Sequence, residues 1–488
     1  MITLPAVRRR TFVPILCFVA VLSAAAAKTY NVSSPSDYNN AMKSAKKGDT
    51  VLLKANITMP CDTPVTAGVT LDLGGKTITL PDKLPDGRGS RGISVEGGGI
   101  TIRNGRIDNG KWAIYAFFPA SDYLFEDLRI TRTKTFLKMG AAGKGVTKNI
   151  TVNRVIVECD DNPWTILDIG PGSSSNVTIK NFYSKARVKN DDTGSDGIGI
   201  ELALDPVTLD NVHIDGCSGD AIDIKGSAHI SNSIVTNAVR QAFKIWGLKE
   251  FPSSMTNCIA VNNGFHSMAN AGDVTLTDCY FEAGTKECPA IDFGAGKKCG
   301  DIDIHGVPDI YGCGGVTVTA TRCRFIRRGG SAYLVSAENW PVAAKVKYID
   351  CSFWNPTHPN LHVGAVTALK AAAQQGIWPS EFVNCKYEDV PAPDIRIRPP
   401  AASVSFTPEK TAPGEAVTFN ITLIAGDFTD RETTWEPLLP FEVDISKDSA
   451  KLDGKPVELS IKDRRLKLTV GGVEPRSTHT LVVNATRR

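Results

Sequence analysis

Four residues spread over three successive repeats have the types and spacing for joint chemistry. Asp196, in GSDGIGIE from Gly194, and Asp220, in CSGDAIDI from Cys217, each precede a short alternating apolar segment and stand 24 residues apart. Asp223 points outward from the second segment. Lys244, in RQAFKIWG from Arg240, takes the same position 21 residues later. If each repeat is one turn of a stacked chain, neighbouring copies lie roughly 5 Å apart. Like charges that close do not both stay ionised comfortably without a cation or a shared proton. Glu201 closes the segment that Asp196 opens, so four carboxylates converge on one face, which suits a hard cation with oxygen ligands, foremost Ca²⁺. Arg240 stands just before the lysine segment, Trp246 faces the same way as Lys244, and Lys225 is the nearest other lysine. A ring beside cations and acids is what an acidic sugar chain requires: stacking for the ring, charge for the carboxylate. Turn aspartates and outward lysines are common in any fold; the coincidence on adjacent repeats is what marks a site.

The elements that must position these groups are visible as eight short segments: GISVEG, AIYAF, FLKMG, ILDIG, GIGIEL, AIDIKG, AFKIWG and GFHSMA. Alternation with period two sends their apolar residues inward. The outward column then reads Ser94, Tyr115, Lys138, Asp168, Gly199, Asp223, Lys244 and His266. Between these segments runs a second pattern, an apolar pair followed by a polar residue, with Asn181, Asn211, Asn232, Asn257 and Asp278 spaced by 30, 21, 25 and 21 residues. A period of roughly 20–30 residues built from short β-branched runs is that of a β-solenoid, and the Leu offsets and helices of leucine-rich repeats are absent. The expected fold is all-β: a right-handed parallel β-helix of about eleven to twelve coils. Asn104, Asn181, Asn211, Asn232 and Asn257 should form a ladder at one turn, and Cys258, Cys279, Cys323, Cys351 and Cys385 should stack beside it as core-filling thiols.

Arg8, Arg9 and Arg10, an apolar stretch from Phe12 and an alanine run to Ala27 read as a secretory leader over residues 1–27. The expectation is an exported, extracellular protein with no membrane span. A short lead-in with a helix from about Ser36 to Ala45 should cap the open end of the solenoid, which is assigned residues 28–390. Prolines mark a linker over 391–401, and alternating strands with turns over 402–488 suggest a small β-sandwich accessory domain. Lys and Arg number 55 against 52 Asp and Glu. Without the leader arginines the charges balance, so nothing favours a nucleic-acid partner, and a monomer is expected. Of 12 cysteines, Cys17 leaves with the leader and an odd number remains. Cys288, Cys299 and Cys313 cluster in an insertion from about Gly284 to Gly315, where at least one disulfide is expected in an oxidising compartment, a zinc site with His305 being the alternative. Asn-x-Ser/Thr sequons begin at Asn31, Asn56, Asn149, Asn176, Asn420 and Asn484, and point to a glycoprotein if the host glycosylates.

GSDGIGIE, CSGDAIDI, QAFKIWG and NCIAVNNGFHSMANAGDVTLTDC resemble the calcium-dependent pectate lyases of polysaccharide lyase family 9 over about residues 190–285. In that family one Asp before a strand and an Asp-Asp-Gly-x-Asp run a coil later hold calcium, and a Gly-Phe-Lys segment supplies the base. The resemblance implies Asp196, Asp220 and Asp223 as calcium ligands and Lys244 as base. Asn262, Gly264, Phe265 and Asn270 match the following coil, so His266 and Asn270 join Trp246 and Lys225 as substrate-binding candidates. Gly219 stands where the family's first paired Asp belongs and Ala221 replaces its Gly, which leaves Glu201 or Asp192 to complete the metal site. The implied reaction is β-elimination on a polyuronate: Ca²⁺ acidifies the proton beside the sugar carboxylate, and Lys244, its pKa lowered by the metal and Arg240, removes it. Two alternatives use the same residues. One is inverting hydrolysis of the polygalacturonase type, with carboxylates roughly 6.5–9.5 Å apart. The other is a non-catalytic carbohydrate-binding surface protein.

Overall fold

The computed structural model describes residues 26–81, 91–140, 145–159, 164–188, 194–248, 250–282, 291–293, 317–329, 334–336, 345–356, 380–429 and 432–488. Most of the expected leader (residues 1–25), Asp192, and the insertion holding Cys288, Cys299, His305 and Cys313 lie outside these residues.

The chain is a right-handed parallel β-helix followed by a β-sandwich. Among the described residues, thirty-two strands join through parallel pairings into one continuous hydrogen-bonded assembly. Burial enforces the period of two. Ile198, Ile200, Ile222, Ile224, Phe243 and Ile245 are all at most 1% exposed and stack down the interior. Strands Ile198–Ala203, Ile222–Ile224, Phe243–Ile245 and Met268–Asn270 pair in register, and so align Gly199 with Asp223, Asp223 with Lys244, and Lys244 with Ala269. A one-residue slip would turn every inward side chain to solvent, so the apolar stack locks the outward column in phase.

The turns are as regular as the strands. Asn104, Asp127, Arg154, Asn181, Asn211, Asn232, Asn257 and Asp278 all have positive φ, a conformation that Asn and Asp tolerate best among residues with a Cβ. Side-chain amides bond from coil to coil: Asn211 Nδ2 donates to Asn181 Oδ1 at 3.0 Å, and Asn257 Nδ2 to Asn232 Oδ1 at 3.0 Å. Another turn holds Asn149 and Asn176, where Asn176 Nδ2 donates to Asn149 Oδ1 at 2.8 Å; both sequon amides are thus engaged in the same kind of ladder. Cys258, Cys279, Cys323 and Cys351 are buried and Cys385 partly so, none in a disulfide. Each donates its thiol to the carbonyl two residues earlier, as Cys279 does to Thr277 O at 3.3 Å. They fill the core, as expected.

The helix Pro35–Ser44 closes the N-terminal end. Ser34 caps it by accepting from Asp37 N at 3.1 Å, Pro sits in its first turn, and Tyr38, Ala41 and Met42 are buried. The Tyr38 hydroxyl donates to Pro64 O at 2.9 Å, tying the cap to the next coils. Beyond the prolines, strands Ala401–Thr407, Ala416–Ile424, Thr478–Arg487, Val443–Leu452 and Lys455–Pro456 form one antiparallel sheet, and Glu432–Trp435, Arg465–Gly471 and Ser460–Lys462 a second. Phe419, Ile421, Trp435, Leu466, Leu468, Leu481 and Val483 fill the space between them. This sandwich touches the β-helix through an Arg154–Glu474 ion pair, Asn211 Nδ2 donating to Asp427 O at 3.1 Å, and Phe428 against Tyr183 and His213, with ring centroids 5.5 and 6.1 Å away.

Candidate functional site

Asp196 and Asp220 occupy matching positions just ahead of paired strands. Asp220 N donates to Asp196 Oδ1 at 2.8 Å, and Asp196 N to Thr165 Oγ1 of the preceding coil at 3.2 Å. The next coil repeats the motif, with Gln241 N donating to Asp220 Oδ1 at 3.1 Å. Each aspartate is therefore held by the backbone of the coil that follows it. Lys244 reaches back over the strand and places Nζ 2.8 Å from Asp220 Oδ2 and 2.9 Å from Asp223 Oδ2. Asp223 Oδ1 is buried with no hydrogen-bond partner. Such an orphaned acceptor on a buried carboxylate marks a place where a water or a ligand group belongs. Gly199 is the partner of Asp223 across the strands, where a Cβ would lie 3.2 Å from Thr165 Cγ2 and 3.6 Å from Asp196 Oδ2.

The electrostatics separate the acids. Burial, reinforced by the charges of Asp223 and Asp220, pushes the Asp196 carboxyl up to about 8, so it keeps its proton at neutral pH. Burial also raises Asp223, against the pull of Lys244 and Lys225. For Lys244, burial alone would lower the pKa, but Asp223 and Asp220 outweigh it and hold the ammonium well above the ordinary lysine value. Lys244 is thus held in its charged form, a clamp between two carboxylates.

The predicted site residues divide accordingly. Asp196, Asp220, Asp223 and Lys244 come together. Glu201 instead pairs with Lys225, and the Lys225 ammonium lies 5.7 Å from the Trp246 ring centroid, so these three form an adjoining outward column. The Arg240 guanidinium packs over Gly194 beside Asp196, where a Cβ on that glycine would be 3.5 Å from its nitrogens. His266 is not the outward residue of its strand: Ala269 pairs with Lys244, and His266 precedes the strand, its carbonyl accepting from Ala242 N at 2.9 Å. Asn270 is fully buried, its amide donating to Gly272 O, so it supports the coil from inside and meets no polymer. Thr165 and Gln241, which the sequence reading did not single out, complete the cluster. Their signal was positional, one coil step from an aspartate.

The calcium expectation meets two obstacles. Among the described residues no three His, Cys, Asp or Glu side chains are grouped to hold a metal ion. The place between Asp220 and Asp223 is filled by Lys244 Nζ. The missing aspartate at 219 has a steric reason: a Cβ on Gly219 would lie 2.6 Å from Asp196 Oδ1 and 2.8 Å from the backbone of Gly194 and Ser195. The residues present do not fit the calcium site that the resemblance implies.

Residues 196–378 match a family model described as a right handed beta helix region. That model describes the β-helix at large rather than one lyase family. No curated protein sequence matches the chain. Among solved structures, a PL6 family alginate lyase, AlyGC, is similar at 13% identity and a TM-score of 0.37, over 74% of this chain and 53% of that one. The chain thus spans about half the length of that enzyme. The Dettilon tailspike protein is similar at 10% identity and a TM-score of 0.26, over 93% of this chain and 90% of that one. A tailspike protein from Acinetobacter baumannii bacteriophage Fri1, a capsular polysaccharide depolymerase, is similar at 10% identity and 0.28, over 95% and 84%. No helix among the described residues is long and apolar enough to cross a membrane.

Proposed function

We propose that this protein cleaves an acidic polysaccharide laid across the outward columns, by general acid–base catalysis centred on Asp196, Asp223 and Lys244. The observation that carries this reading is the division of labour among neighbouring carboxyls: Asp196 retains a proton at neutral pH, while Lys244 clamps Asp220 and Asp223. Carboxyls whose environments drive their proton affinities apart are the working parts of glycoside hydrolysis. Asp196 protonates the departing glycosidic oxygen as its bond to the anomeric carbon breaks. The unpartnered Oδ1 of Asp223 takes a proton from the attacking water, whose oxygen bonds to that carbon, and one new reducing end results. Lys244, Lys225 and Arg240 supply the positive charge that a uronate chain requires. The setting is read as extracellular, supported by the Arg8–Arg10 leader pattern.

Calcium-assisted β-elimination would require Lys244 to release two carboxylates and lose its proton. Incubation with pectate, alginate and glycosaminoglycans, with and without chelator, separates the readings. New reducing ends without unsaturated ends, unaffected by chelator, are expected. Unsaturated ends that vanish with chelator would establish the lyase instead, and binding without any cleavage would leave a carbohydrate-binding protein.

A further inference from the structure

Nearer the N-terminus, the outward face that carries the acid cluster bears aromatic rings. Trp112 pairs with Arg91 and Thr135, and Tyr115 with Ser94 and Lys138, in the column that continues through Asp168 and Gly199 to Asp223. Around Trp112 gather Tyr115, Phe117 and Trp164, with ring centroids 6.2, 5.9 and 6.5 Å away. Two cations are built into the cluster: Lys111 Nζ lies 3.5 Å from the Trp164 centroid, and the Arg91 guanidinium, paired with Asp62 at 2.8 Å, lies 5.6 and 5.3 Å from those of Tyr115 and Phe117. The rings are fixed from behind. The Tyr115 hydroxyl donates to Asp62 Oδ1, and the Glu96 carboxylate accepts from Phe117 N at 2.7 Å. Yet Trp164 is 42% and Phe118 61% exposed. The core of these coils is already filled by inward residues such as Ile114 and Leu137, both 0% exposed, so the patch is surplus to folding. A braced cluster of half-buried rings, with Trp164 and the neighbouring Phe118 open to solvent and cations alongside, matches a ligand having apolar ring faces and carboxylates.

Continuity identifies which ligand. From Tyr115 to Asp223 the column takes four coil steps, roughly 19 Å. Between them Lys138 and Asp168 are paired with each other and Gly199 has no side chain, so no bulky residue of the column blocks the path. We propose that Trp112, Phe117, Phe118 and Trp164 form a remote binding platform for an acidic polysaccharide, whose chain continues along the column to the Asp196–Asp223 cluster. This rests on the polysaccharide-cleaving reading of that cluster and extends it to a long substrate.

The test uses the full chain with Trp164→Ala and Phe118→Ala, both exposed positions that leave the core untouched. Binding of polygalacturonate, alginate and hyaluronate polymers, and of their disaccharides, is followed by tryptophan fluorescence and calorimetry, alongside release of reducing ends. Each variant is expected to weaken polymer affinity about tenfold, the effect of losing one stacked ring, while handling of disaccharides at the acid cluster is unchanged. If the parent cleaves nothing but Trp164→Ala still weakens polymer binding, the catalytic reading falls and the platform stands. If cleavage is found and both variants bind polymer as the parent does, the platform falls and catalysis stands. Failure of all three polymers to bind the parent overturns the platform.

Discussion

A carboxyl that keeps its proton at neutral pH leaves a thermodynamic trace as well as a catalytic one. Asp196 binds its proton up to about pH 8 in the folded chain but only below about 4 once unfolded. The unfolded state therefore holds fewer protons across that window, and stability falls as pH rises from about 4 to about 8. Asp196→Asn removes the titrating group. It is expected to abolish cleavage and, in denaturant titrations, to stabilise relative to the parent by a few kcal/mol at pH 8.5 but by little at pH 4. An equal shift at both pH values would place the proton elsewhere. Lys244 behaves oppositely from what its outward position suggested. An exposed lysine contributes little to stability, but this one is the counter-charge of two carboxylates whose side chains are only 2% and 8% exposed. Lys244→Ala should lower unfolding free energy by about 3 kcal/mol, the effect of stranding buried charge, and a denaturation midpoint matching that of Lys225→Ala would contradict the clamp.

At the scale of elements, legibility followed from physics. Period-two burial made the strands readable from Gly92 to Gly247, because an inward isoleucine has one place to go in a closed coil. Asn and Cys recurring at one offset made both ladders readable, because stacked coils superpose equal positions. The last segment failed on phase: GFHSMAN alternates equally well from His266 or from Ala269, and only the pairing of Met268 with Phe243 decides it. Glu201 was expected among the aspartates and instead pairs with Lys225, for another reason. The distance along the chain shows that they stand one coil apart, not that they will choose each other over the aspartates. At the Gly219 turn the sequence already departed from the family pattern, and the structure gives the reason: a side chain there would run into the Asp196 carboxylate. Gly219→Asp should therefore create no calcium site. The expected result is no calcium-dependent rise in Tm, together with a lower Tm as the segment from Gly194 to Asp196 is displaced; a calcium-dependent stabilisation of several degrees would restore the metal reading.

The molecule as a whole joins a solenoid to a sandwich through Phe428, lodged against Tyr183 and His213. Burial lowers His213 to about 4 from an ordinary value near 6.5, so it is held neutral in the folded chain. Between about pH 6.5 and 4 the unfolded state takes up the proton and the folded state resists, so stability is full above 6.5 and is lost as pH falls through that range, by up to about 3 kcal/mol. The loss is expected at the junction, as protease cutting between Pro391 and Ala401 that accelerates on acidification in the parent but not in His213→Phe. Asp196 and His213 thus act in opposite directions as pH rises, the first lowering stability from about 4 to about 8 and the second raising it from about 4 to about 6.5.

The uniform rise per coil turns the β-helix into a ruler. Tyr115 and Asp223 are separated by a whole number of coils, and no small backbone adjustment can bring the ring nearer to the acid without breaking register along the entire stack. The span from platform to acid can lengthen or shorten only in jumps of roughly 4.8 Å, by gain or loss of a complete coil. A lineage of such proteins would therefore change the length of sugar chain it measures in discrete increments, through duplication of some two dozen residues rather than through point substitution.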